Sequence, residues 1–157
     1  MITVQIRKPF LSHISKKAIT SAIMEASASL FPGEISDLGI LITSDAEIKE
    51  LNEDYRHIDR ATDVLSFGSE EIDPETGRRY LGDLVVSYET AAAQASVAGH
   101  DALTEIKILL IHGLLHLHGY DHDTTDRKQA MWQKQFQAHK TLGIAVTSLS
   151  GENDQPA

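Results

Sequence analysis

The segment Ile108–Leu117 constrains this chain more than any other, because it is apolar on nearly every side and yet carries His112 and His116. A run of that length is far short of the roughly 20 residues that span a bilayer, so it reads as a helix buried inside a folded domain. Two imidazoles in such a helix need polar partners. Residues four apart lie about 40° from each other around a helix, so both rings project from adjacent turns of one face. Gly119 can take positive φ and end the helix abruptly, which lets the chain double back and carry His122 towards the pair. Three imidazoles converging in this way leave a fourth coordination position open, the arrangement of catalytic rather than structural zinc. An ion held like that brings the pKa of bound water to about 7.

Among eight histidines in 157 residues, a pair four apart arises by chance roughly 0.4 times per chain. Adding His122 ten residues after His112 and Gly119 seven after it lowers that expectation to about 0.001, so the spacing is read as a site. There is no cysteine, so the chain has no disulfide and a transition-metal site must use histidine and carboxylate. His112, His116 and His122 are therefore the expected ligands of one zinc ion per chain, with His112 and His116 also counted as catalytic. His118 sits about 200° round the helix from His116 and reads as a packing or surface histidine. His13, His57, His100 and His139 have no comparable spacing. Asp121 and Asp123 flank the last ligand; orienting an imidazole and simply belonging to a polar loop weigh about equally for them. Asp83 is a weaker candidate for a supporting role.

The rest of the chain supplies the frame. The alternation in Ile2–Ile6 reads as a strand. Apolar residues at helical spacing from Ser15 to Leu30 give a helix stopped by Phe31-Pro32-Gly33. Leu38–Ile42 is a buried strand. Ser44 with Glu47 three residues on has the form of a capping box, opening a helix whose apolar side is Ile48, Leu51 and Tyr55. Strands are expected at Val64–Phe67 and Leu84–Val86, and helices at Tyr88–Val97, from about Leu103 to His118, and from Thr124 or Thr125 to near Gly143, the last turning Met131, Trp132 and Phe136 inward. This alternation predicts an α/β (α+β) fold, one compact domain over 1–147. A small, mostly parallel sheet is covered by helices, with the metal site on a central helix and the loop after it. Residues 148–157 are polar and read as a mobile tail. The N-terminus lacks the apolar core of a signal peptide, so a cytoplasmic protein without membrane contact is expected. The formal charge of −9 argues against coating nucleic acid by bulk attraction, so a nuclease of this composition needs a local basic patch, for which Arg56, Arg60, Arg78 and Arg79 are the material.

Ile111-His112-Gly113-Leu114-Leu115-His116-Leu117-His118-Gly119-Tyr120-Asp121-His122 resembles the signature of the YbeY family of bacterial endoribonucleases. Leu51-Asn52-Glu53-Asp54-Tyr55-Arg56, with Asp59 and Thr62-Asp63-Val64-Leu65-Ser66-Phe67, is similar to that family's other recurrent block, and Leu81-Gly82-Asp83-Leu84-Val85-Val86 is a shorter third. The blocks keep family order across roughly residues 45 to 125. The resemblance implies a single-strand-directed endoribonuclease that matures the 3′ end of small-subunit ribosomal RNA and acts in ribosome quality control. It implies zinc on the three histidines and a catalytic or phosphate-binding role for Arg56. The implied partners are RNA, chiefly ribosomal RNA or the small ribosomal subunit, and assembly proteins, with no DNA. Two departures stand out: Gly68 where a proline is usual, and Lys134 with Gln135 where the family tends to be acidic.

Two other functions fit the same histidines. Metzincin-type peptidases share the spacing, but place a glutamate general base directly after the first histidine, where this chain has Gly113. The third reading is a non-catalytic ribosome-assembly factor whose zinc only holds the fold, and a measured open coordination position would discriminate against it.

Overall fold

The computed structural model describes residues 1–145. The expected tail, 148–157, lies outside the described residues. Four strands, β1 (Ile2–Ile6), β2 (Ser36–Thr43), β3 (Val64–Gly68) and β4 (Arg79–Ser87), form one sheet in the order β1-β2-β4-β3. The first three in that order run parallel and β3 pairs antiparallel with β4 at the edge. The sheet is thus mostly parallel, as the alternation of elements predicts. β4 is longer than the apolar trio Leu84–Val86, because its first half carries Arg79, Tyr80 and Asp83 and presents no continuous apolar run.

Five α-helices complete the chain: α1 (Lys16–Leu30), α2 (Asp45–Arg56), α3 (Tyr88–Ala98), α4 (Ala102–Leu117) and α5 (Thr125–Leu142). Each opens on a side-chain cap. Ser15, Ser44, Ser87, Asp101 and Thr124 accept from the backbone N–H three residues on, satisfying a donor that the first turn leaves free. Ser44 accepts from Glu47 N at 3.2 Å. The Glu47 carboxylate, however, pairs with Arg7 at 2.9 Å, so only half of the capping box forms.

α4 lies at the centre of a helical layer on one face of the sheet, flanked by α1, α3 and α5. The main core collects there, from Val4, Ile6, Leu38, Ile40, Leu84 and Val86 on the sheet to Ile19, Ile23, Leu110, Ile111, Leu114 and Met131 on the helices. Trp132 and Phe136 stay half-buried, and the buried positions of α5 beside Met131 are Gln135, Ala138 and His139. Among the described residues the other face carries only α2, which seals a smaller cluster of Ile48, Leu65 and Val85. No helix of the described residues is long and apolar enough to cross a membrane.

Gly113 fixes how closely α4 sits on the sheet. A Cβ at this position would stand 2.7 Å from Leu84 Cδ2, inside the roughly 3.5–4.0 Å of carbon contact. Gly68 closes β3 opposite Gly82, so the departure from proline leaves that residue within the ladder.

Candidate metal centre and its surroundings

The end of α4 is built as its sequence implies. His118 N bonds back to the carbonyls of Leu114 and Leu115, Gly119 N to His116 O at 3.0 Å, and Tyr120 N to Leu115 O at 3.0 Å. Gly119 takes φ +93°, which an L side chain rarely adopts, and the chain turns back across the end of the helix. The turn brings His122 over the face that carries His112 and His116. Ring centroids stand 4.6 Å apart for His112 and His116, 5.7 Å for His112 and His122, and 5.4 Å for His116 and His122.

One nitrogen from each ring lies within 4.8 Å of the other two. Between His112 Nε2 and His116 Nε2 the separation is 3.1 Å. Two nitrogens each about 2.0–2.1 Å from a tetrahedral zinc are about 3.3 Å apart, so this pair already spans close to one edge of such a site. His122 Nε2 is buried and without a hydrogen-bond partner, a costly state for a polar nitrogen unless something binds it. The donor set therefore fits a metal ion. Burial, then the neighbouring rings of His116 and His122, pushes His112 down to about 3, with Asp121 acting weakly the other way. His116 is lowered by burial, then by the His122 ring, with the Arg56 charge adding to both. Both rings are thus neutral near pH 7, the form in which an imidazole ligates.

Asp121 Oδ1 accepts from the backbone N–H of its neighbour His122 at 2.7 Å, which fixes the turn carrying the third ring. Asp123 is exposed and faces Arg127 at 3.5 Å. Of the two flanking carboxylates, then, Asp121 supports the site and Asp123 belongs to the start of α5. His118 points away from the cluster, as its angle on the helix predicts. It stacks on Phe31 with centroids 3.6 Å apart, and its Nε2 meets the Glu34 carboxylate at 2.8 Å. Asp83 lies on the opposite face of the sheet, hydrogen-bonded by the Tyr80 hydroxyl, and has no part in the histidine cluster.

Arg56 closes the last turn of α2. His57 follows in the left-handed region at φ 59°, the one non-glycine residue with positive φ among those described. Asn52, on the buried side of α2, donates through Nδ2 to Arg60 O at 3.0 Å and accepts through its backbone carbonyl from Ile58, holding the loop after the helix. The Arg56 guanidinium reaches around the sheet edge and donates from Nη2 to Ser66 O on β3 at 3.1 Å. It lies close enough to His116 for its charge to disfavour protonation of that ring. Neither acidic neighbour in sequence claims it: Asp59 faces Lys49 at 3.5 Å, and Asp63 accepts from Val64 N and Gln94 Nε2.

Of the four arginines expected to supply a basic patch, one is already engaged within the fold. Arg78 is committed to Asp37, at 2.6 Å, and to Ser36 O on β2. Sequence reasoning also passed over Asn52, Ser66 and the turn at His57, which together set the reach of Arg56. The one signal among them was Asn52, a polar residue four positions after Ile48 on the apolar stripe of α2.

Comparison with known proteins agrees with this geometry. The family model described as Endoribonuclease YbeY matches residues 3–143. Endoribonuclease YbeY of Roseiflexus sp. (strain RS-1) is 36% identical over 155 residues, covering 92% of this chain and 94% of the relative. That of Dehalococcoides mccartyi (strain BAV1) is 38% identical over 153 residues, covering 90% and 96%. The solution structure of TM1509 from Thermotoga maritima superimposes with a TM-score of 0.57 at 22% identity, over 99% of this chain and all of that one, and shares the fold. With the family model and relatives matching over nearly the whole chain, this protein belongs to the endoribonuclease YbeY family.

Proposed function

We propose that this chain is a zinc-dependent endoribonuclease that cuts single-stranded RNA and acts in maturing the 3′ end of small-subunit ribosomal RNA and in ribosome quality control. In this reading His112, His116 and His122 hold one zinc ion, and Arg56 handles phosphate beside it. The observation that carries the metal assignment is the convergence of three imidazole nitrogens within 4.8 Å, the third of them buried and unpartnered. The nuclease reading draws on the family and its named relatives.

When bound, zinc supplies a Lewis acid for a phosphoryl oxygen and lowers the pKa of its water. The residues of the chain do the rest. Arg56 offers a planar guanidinium anchored by a single carbonyl, with its remaining N–H groups free to grip two phosphate oxygens in a fork. Such a fork would offset the negative charge that builds on the non-bridging phosphoryl oxygens in the transition state. RNA carries its own nucleophile in the 2′-hydroxyl, so a site lacking a glutamate beside the first ligand is not disabled for RNA as it would be for peptide hydrolysis.

Gly113 weakens the peptidase reading further than sequence alone did. The position faces the sheet, against Leu84, so a glutamate there would be driven into the core instead of towards the histidines. Arg56→Ala tests the nuclease reading. Cleavage of a single-stranded RNA is expected to fall about a hundredfold or more, the scale of losing a charge-stabilising donor. Zinc content and melting temperature should stay near wild type, and Arg56→Lys should restore only part of the loss. Wild-type cleavage by Arg56→Ala would remove Arg56 from the mechanism.

A further inference from the structure

The open face of the sheet, opposite the helical layer, holds a groove of about 800 Å³ that the histidine site does not use. One wall is the last turns of α2 with Leu51 and Tyr55, joined at its end by Phe67 of β3. Tyr55 is 68% exposed, although it lies on the apolar side of its helix. Its ring meets Phe67 edge to face, with centroids 5.5 Å apart at 64°, and most of the tyrosine remains open to solvent. Tyr55 directly precedes Arg56, and Phe67 directly follows Ser66, the residue whose carbonyl anchors Arg56. The aromatic pair is therefore continuous with the phosphate-handling arginine at the sheet edge.

We infer that Tyr55, braced by Phe67, is a stacking platform for a base of the single-stranded RNA next to the nucleotide being cut. The inference rests on the endoribonuclease reading above. An aromatic face accepts any base, and such stacking holds single strands without demanding a sequence. Charge sets which way the strand lies. The groove floor carries the Asp83 carboxylate, which repels phosphate, whereas Asp37 is neutralised by Arg78 and the N-terminal amine; Arg56, bonded to Ser66 O on the edge strand, stands at the rim. The backbone accordingly follows the rim and the bases turn inward over Tyr55. An exposed ring braced by a neighbour loses little side-chain freedom on binding, so its contact contributes to affinity instead of to the chemical step.

Tyr55→Ala, Tyr55→Phe and Tyr55→Trp test this with a single-stranded oligoadenylate carrying one 2-aminopurine, whose fluorescence is quenched on stacking. Tyr55→Ala is expected to raise KM about tenfold, within the range of one lost base stack, with kcat within about twofold of wild type and zinc content unchanged. Quenching should disappear in that variant, and Phe and Trp should restore both readouts, Trp at least as well as tyrosine. If wild type cleaves the RNA and Tyr55→Ala matches it in KM and in quenching, the platform is wrong and the exposed ring serves something other than RNA. If wild type itself neither binds nor cleaves, the endoribonuclease reading fails and takes the platform with it.

Discussion

Replacing Gly113 by Ala probes both the packing of α4 on the sheet and the reason this chain has no glutamate beside His112. The new Cβ would sit 2.7 Å from Leu84 Cδ2, about 1 Å inside ordinary contact, and Leu84 is fully buried with no free direction to move. Overpacking of this kind costs about 1–3 kcal/mol. Ala in a helix interior is better than Gly by about 1 kcal/mol. The net expectation is a loss of about 1 kcal/mol, seen as a fall in Tm of about 2–4 °C for a chain of this size. Because Leu84 Cγ stands 3.6 Å from the same point, shortening Leu84 to Val removes the clash. Leu84→Val alone should cost about 1 kcal/mol, and the double variant should be more stable than the sum of the singles by about 2 kcal/mol, the whole of the overpacking cost. Thermal or urea unfolding of the four proteins measures the cycle. The packing account is refuted if Gly113→Ala gains the full helix-propensity increment and adds independently with Leu84→Val.

The same crowding makes Gly113→Glu an unfolded protein, because it buries a carboxylate against Leu84; a folded variant by circular dichroism would contradict the packing described. Zinc-loaded wild type should show no cleavage of an unfolded protein such as casein, and robust proteolysis abolished by His112→Ala would reverse the ranking of the two hydrolases. Asp63 is buried, which raises its pKa above the ordinary carboxylate value. The penalty for ionising it in the fold is absent below the unfolded pKa of about 3.9. It grows as pH rises towards the folded value, so Asp63→Asn should gain in stability relative to wild type as pH is raised above about 4, measured by urea melts across a pH series. A difference independent of pH would mean that the folded carboxylate is not destabilised.

The histidine cluster was legible in sequence because helix geometry alone puts His112 and His116 on one face, and Gly119 marks where the chain can reverse. The sheet was legible for a similar reason: its central strands are continuous apolar runs, and its elements alternate. What escaped were features that depend on long-range placement. The first half of β4 is strand because it is paired by β2 and β3, whatever its own residue preferences. Arg78 looked like material for a basic patch until the fold set it against Asp37, 41 positions earlier in the chain. Arg56 showed the reverse. Two nearby aspartates offered ordinary partners, but the left-handed turn at His57 and the Asn52 contact hold the loop so that the guanidinium meets Ser66, near enough to His116 for its charge to act on that ring.

Zinc occupancy and RNA cleavage measured on the same preparations test the central claim most directly. Protein purified without a chelator or a histidine tag should carry one zinc per chain. Its cleavage of single-stranded RNA should fall in step with zinc as a chelator removes the metal and return on reloading. His122→Ala should lose both together, because two imidazoles hold the ion poorly. A metal-free wild-type chain that cleaves RNA at full rate, or a His122→Ala variant that keeps its zinc and its activity, would contradict the account.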